Sequence, residues 1–297
     1  MHVSANALQI EIDDQGPPGG EPLLLVMGLG MQLIAWPQEL VGALVARGFR
    51  VLRLDNRDAG LSQGFDHLGS PGLLGMGLSV LKYRLHLPVP APYRLAHMAA
   101  DALGVLDALG IAQAHVCGAS MGGMIAQHMA AAQPQRVKSL TLMMTTSGAR
   151  HLPQATAKAQ RALLRRPGGR DTASIVRHLE AVMQVIGSPG HPDEPAALRQ
   201  RLQASVERAW RPQGTTRQLL AVVADGDRSA LLRTLRLPTG LIHGEADPLI
   251  PAAAAHDLAR LIPGATLDLV PGMGHDLPAA LLPRFAQGIA QTAARAS

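Results

Sequence analysis

Cysteine is nearly absent: the 297 residues contain one, Cys117, so no disulfide can form within the chain and nothing asks for an oxidising compartment. Aromatic residues make up only 2% (three Phe, two Tyr, two Trp). Core filling therefore falls to Leu, Ala, Val and 12 Met, and the ring platforms on which single-stranded nucleic acids stack are missing. Nucleic acid is accordingly not an expected partner. No run approaches the roughly 18 apolar residues that a membrane span needs. Met1 to Asp14 also lacks the basic-then-apolar order of a secretion signal, so no stable membrane insertion is expected and a cytoplasmic setting is. There is no internal repeat, no low-complexity linker, no His-Glu-x-x-His and no paired Cys/His spacing. A tandem array and a metal hydrolase are both disfavoured, and neither a metal nor another cofactor is expected.

Acidic residues are missing from one stretch that is rich in bases: Lys158, Arg161, Arg165, Arg166 and Arg170 contribute to a net charge of +5. The simplest reading is a solvated helix face. What is abundant is apolar material, 47% of residues against 16% charged, enough to bury a central sheet. Short β-type runs alternate with longer Ala/Leu-rich segments, the pattern of βαβ units on a mostly parallel, twisted sheet flanked by helices. Ala7–Ile12 reads as an edge strand, and strands follow at 22–27, 50–54, 114–117 and 137–144. Helices are expected at 37–47, 93–109 and 121–133. Phe65–Pro92 breaks the rhythm and reads as an irregular apolar loop folded over a pocket. Thr145–Leu237 shows helical patterning and almost no strand signal; the sheet pattern returns at 239–243 and 266–270. The organisation is thus one α/β core, 1–144 and 238–297, with a helical cap inserted at 145–237.

Gly118-Ala119-Ser120-Met121-Gly122 fits Gly-x-Ser-x-Gly and lies between a buried strand and a helix, where that motif presents a serine hydroxyl above the sheet. Side chains at the two glycines would collide with so sharp a turn. The following helix aims its first amides at the reaction centre, which makes the Met121 N–H one expected oxyanion donor. A hydroxyl is a weak nucleophile until a base takes its proton. His275, in Pro271-Gly-Met-Gly-His-Asp276 after the last strand, is the expected base; His128, His243 and His256 read as packing or surface histidines. Asp247, in the loop after the penultimate strand, is the expected orienting carboxylate, ahead of Glu245, Asp225 and Asp227, while Asp276 reads as a helix cap. The second oxyanion donor is expected in Gly28-Leu29-Gly30, at the Leu29 amide with Gly30 as fallback. Gly28, Gly30, Met31, Met144 and Met273 are candidate substrate-lining residues, since flexible thioethers at strand ends make a pliable apolar wall. Asp55-x-Arg57-x-x-Gly60-x-Ser62 reads as a loop-fixing network, and Cys117 as inert packing.

Leu23-Leu-Leu-Val-Met-Gly28, Trp36-Pro37, Asp55-Asn-Arg-Asp58, Gly118-Ala-Ser-Met-Gly122, Gly244-Glu-Ala-Asp-Pro248 and Pro271-Gly-Met-Gly-His275 together carry a likeness. The chain resembles the α/β-hydrolase superfamily, and within it the bacterial group around aclacinomycin methylesterase and carboxylesterases. The resemblance implies the α/β-hydrolase fold with an inserted cap and cofactor-free acyl transfer on a small-molecule carboxylic ester. In the group's namesake the substrate is a bulky polyketide methyl ester. Lactone opening, carbon–carbon bond hydrolysis and perhydrolysis would use the same residues, and a catalytically idle ligand-binding member is the non-enzyme alternative. One departure is local: the His-Gly pair usual in the oxyanion loop is Met27-Gly28 here.

Overall fold

The computed structural model describes residues 1–69, 72–85 and 87–296. Within them the chain runs β1 (His2–Ala5), β2 (Leu8–Gln15), β3 (Glu21–Val26), α1 (Gln38–Val45), β4 (Phe49–Leu54), α2 (Leu73–Arg84), α3 (Leu95–Ala108), β5 (Ala114–Ala119), α4 (Met121–Ala132) and β6 (Val137–Met143). It continues through α5 (Ala157–Leu164), α6 (Thr172–Ile186), α7 (Pro195–Arg208), α8 (Pro212–Asp225) and α9 (Ser229–Leu232). The end of the chain is β7 (Thr239–Gly244), α10 (Ala253–Leu261), β8 (Thr266–Val270) and α11 (Leu282–Ala294). The strands form one sheet in the order β1-β2-β4-β3-β5-β6-β7-β8. β1 and β2 pair antiparallel, as do β2 and β4, and the pairs from β4 to β8 are parallel.

Alternation along the strands separates two cores, because successive side chains leave a strand on opposite faces. On β3, Leu24 and Val26 join the cluster packed by α3, α4 and α10, whereas Leu23 and Leu25 join the one packed by α1 and α11. β5 is buried along its whole length, as a central parallel strand covered on both faces must be. Its C-terminal end is therefore fixed from both sides at the point where Ser120 follows.

The expected edge strand at Ala7–Ile12 is part of a two-strand hairpin, β1 with β2. The turn residues Asn6 and Ala7 have φ of 50° and 61°, the positive values that a two-residue type I′ hairpin loop requires at both positions. Alanine there hides a turn that Asn-Gly would have announced. The segment expected to be irregular, 65–92, contains α2 instead; its Leu and Met residues are good helix formers, and Gly75 and Gly77 interrupt the pattern without breaking the helix. Ser70, Pro71 and His86 of that segment lie outside the described residues. Lys158, Arg161, Arg165, Arg166 and Arg170 are all exposed on and after α5. Among the described residues no helix is long and apolar enough to cross a membrane.

Candidate active site

Ser120 joins β5 to α4 with φ 55° and ψ −121°, a conformation that costs an L-residue roughly 1–3 kcal/mol and persists only where its surroundings enforce it. They do. The Ser120 N–H donates to Met143 O at 2.9 Å, and Ser120 O accepts from Thr145 Oγ1 at 2.7 Å. A Cβ on Gly122 would stand 2.6 Å from the Val26 carbonyl carbon and closer still to its oxygen; one on Gly118 would stand 2.5 Å from the Gly122 carbonyl carbon. Backbone cannot yield as a side chain can. Gly122→Ala is therefore expected to lower stability by about 1–3 kcal/mol or more and to distort the Ser120 turn. Gly42→Ala in α1, where a Cβ meets nothing within 4 Å, should leave both intact. Thermal melts of the two variants check this.

His275 lies beyond β8 in a loop cradled by the C-terminal end of α6. Its own N–H donates to Ile186 O at 2.7 Å, and Gly274 N–H donates to Ser188 Oγ at 2.8 Å. The ring spans two partners: Nε2 is 3.0 Å from Ser120 Oγ and Nδ1 is 2.7 Å from Asp247 Oδ2. An ionised carboxylate can only accept, so Nδ1 carries the hydrogen and Nε2 is left free to accept from the serine hydroxyl. Asp247 is buried, and its other oxygen accepts the Leu249 and Ile250 amides at 2.8 Å each, which fixes the carboxylate plane and reserves Oδ2 for the imidazole. The structure thus brings Ser120, His275 and Asp247 into one hydrogen-bonded chain.

Gly28 lies against the serine; a Cβ there would approach Ser120 Cβ to 3.1 Å. The amides of Leu29 and Met121 have no hydrogen-bond partner among the described residues. The Gly30 amide does: it donates to Gln218 Oε1 at 2.8 Å, which removes the fallback donor. Met144 and Met273 are 3% and 0% exposed within the α1/α11 core, and Met31 is 42% exposed, so the three methionines do not share one wall. Asp276 does not cap a helix. Its carboxylate accepts the Ser188 hydroxyl and the Ser188 amide, and burial pushes its pKa up.

Other expected rivals are placed elsewhere. Asp225 pairs with His128 and with Arg228. Asp55 accepts the Leu33 and Leu61 amides, and Arg57 forks onto Asp101 at 2.6 and 2.7 Å, the loop-fixing network expected of that motif. Cys117 is fully buried and its thiol is pushed up by that burial, as suits inert packing. Among the described residues no group of three or more His, Cys, Asp and Glu side chains is placed to hold a metal.

Sequence reasoning undervalued His243. It is buried at the end of β7, its Nε2 donates to Ile250 O at 2.8 Å, and that nitrogen is 3.6 Å from Asp247 Oδ2, so it braces the loop presenting the carboxylate. Desolvation lowers its pKa from 6.5, outweighing the carbonyl and Asp247. The neutral ring is the folded form: as pH falls below 6.5, the unfolded chain takes up a proton that the folded chain refuses, and stability falls. Buried His115 is shifted in the same direction and adds to the slope. Urea unfolding between pH 7 and pH 5 should show that loss, and His243→Gln should show less of it; an unchanged slope would contradict the assignment.

Comparison with known proteins agrees with this architecture. The model of the alpha/beta hydrolase fold family matches residues 21–278. The chain is 30% identical over 285 residues to the rhodomycin D methylesterase of Streptomyces peucetius, covering 90% of this chain and 88% of that one. It is 28% identical over 282 residues to a 2-hydroxymuconate semialdehyde hydrolase of Pseudomonas putida, covering 92% and 86%. Among solved structures, an esterase from Rhodococcus sp. ECU1013 matches with a TM-score of 0.76 at 21% identity, over 100% of this chain and 98% of that one, a likeness of fold. The chain belongs to the alpha/beta hydrolase fold family.

Proposed function

We propose that the protein is a serine esterase in which Ser120 is the nucleophile, His275 the base and Asp247 the carboxylate that orients it. Kinship with methylesterases makes it a carboxylic ester hydrolase; the proposal concerns how, and on what, it acts. The observation that carries it is the continuous chain from Ser120 Oγ through His275 to Asp247, at 3.0 and 2.7 Å. Ser120 attacks the ester carbonyl as His275 Nε2 takes its proton, and the imidazolium then protonates the departing alcohol. Water, activated by the same nitrogen, releases the acid from the acyl-enzyme. The Leu29 and Met121 amides hold the oxyanion, and their lack of other partners among the described residues supports that role.

We read 145–237 as a cap on the core. Gln32 Nε2 donates to Ser205 O at 2.7 Å and Arg208 pairs with Asp55 at 2.7 Å, fastening α7 to core loops on the side where Ser120 opens. The cap and the methylesterase kinship favour an ester with an apolar or bulky acyl or alkyl part, a methyl ester foremost, met in the cytoplasm. The semialdehyde hydrolase relative favours a second reading, carbon–carbon bond hydrolysis by the same residues.

Hydrolysis of p-nitrophenyl esters from acetate to palmitate, and of bulky methyl esters, tests the proposal with EDTA present. Turnover by the wild type that falls to background in Ser120→Ala is expected; turnover that survives the substitution would overturn it.

A further inference from the structure

We infer that Gln218, on α8, is a positioning residue that aims the oxyanion hole from the far side of the chain; the inference rests on the serine esterase reading above. Gly28-Leu29-Gly30-Met31 forms a turn closed by Met31 N–H to Gly28 O at 3.2 Å, with Gly30 at φ 68°. The donor residue, Leu29, is therefore flanked by two glycines. They let the backbone come close to Ser120, and they also leave it more conformational freedom than any other pair of neighbours would. A hydrogen bond weakens steeply once its angle falls below about 120°, so a donor in such a turn stabilises an oxyanion only if something outside the turn holds it.

Gln218 does so. It is 0% exposed, its Oε1 accepts the Gly30 amide at 2.8 Å, and its Nε2 donates to Arg57 O at 2.7 Å. One planar amide thus satisfies a half-buried N–H and a buried C=O at once, which neither a carboxylate nor an apolar side chain can do. Both ends are anchored. Arg57 is held by Asp101, and the neighbouring Arg217 binds Asp58 at 2.7 and 2.8 Å with 0% exposure, which pins α8 to the loop after β4. Thr215, three residues before Gln218 and so on the same helix face, packs 2.7 Å from where a Gly30 Cβ would lie. Gln218 fixes the peptide that follows Leu29, and the segment between β6 and β7 thereby sets the geometry of the hole as well as covering the site.

A residue that only shaped the substrate pocket would change KM, and one that only supported the fold would change the melting temperature. Gln218→Met removes acceptor and donor and should lower kcat about tenfold to a hundredfold with KM nearly unchanged. Its affinity for a trifluoromethyl ketone, which adds to Ser120 and leaves an oxyanion, should fall in step with kcat. Gln218→Met that melts earlier but keeps wild-type kcat and ketone affinity overturns the proposal. A wild type that forms no ketone adduct overturns the serine reading and this inference with it, which separates the two failures.

Discussion

His275→Ala is expected to fold and to hydrolyse esters about a million-fold more slowly than the parent, because serine and base act as a unit and removing either leaves the other idle. The fold should survive, since Asp247 keeps the Leu249 and Ile250 amides on Oδ1 and His243 still braces the loop through Ile250 O. What disappears is the acceptor 3.0 Å from Ser120 Oγ. The remaining rate should reflect binding and the two oxyanion donors alone. Ser120→Ala combined with His275→Ala should be no slower than either alone, a non-additivity that a surface or packing histidine would not show. Steady-state kinetics on the best ester, with a melt of each variant, checks both statements.

Asp247→Asn is expected to lower kcat by about ten thousand-fold while leaving the geometry in place. The side chain is nearly isosteric, and its carbonyl oxygen can keep the two backbone amides that Oδ1 now accepts. Its NH2 would then face His275 Nδ1, 2.7 Å away in the parent, and a donor there selects the tautomer with hydrogen on Nε2. That hydrogen points at Ser120 and cannot accept its proton. The loss should therefore fall in kcat rather than KM, and a loss smaller than about a hundredfold would mean that another carboxylate orients the ring. Asp276 is the nearest in sequence, but its oxygens are taken by Ser188.

The parts of the site legible in the sequence are those that local geometry dictates. Gly118 and Gly122 are read from the five-residue turn, but only the overlap at Gly118 arises within it; a Cβ on Gly122 would meet the backbone of Val26 and Met27 at the end of β3, a contact from elsewhere in the chain. His275 and Asp247 are read from their loops, because a parallel sheet delivers every strand-end loop to one edge. What was not legible depends on contacts far apart in the chain. Gln218 meets Gly30 across 188 residues, Ser188 meets Asp276 across 88, and a lone Gln or Ser on a helical segment carries no signal of such a partner. The β1/β2 hairpin and α2 were missed for a local reason: Ala7 takes a positive φ that glycine usually announces, and glycines inside α2 mask its helical period.

These long-range contacts share a feature. The loop bearing His275 is held by Ile186 and Ser188, and the turn bearing Leu29 by Gln218, all from the segment between β6 and β7. On the proposed cap reading, substrate preference and catalytic geometry are built into the same helices. Substitutions chosen there to widen substrate range are expected to cost rate when they loosen α6 at its C-terminal end or α8 at Gln218, and to be tolerated on the exposed face of α5.

The most direct test of the central claim is covalent labelling of the wild type by a fluorophosphonate, read by intact mass and peptide mapping. A single adduct on Ser120, blocked by an ester substrate and lost in Ser120→Ala and His275→Ala, is the predicted result. Hydrolytic activity in a protein that takes no label, or a label on any other residue, would contradict it.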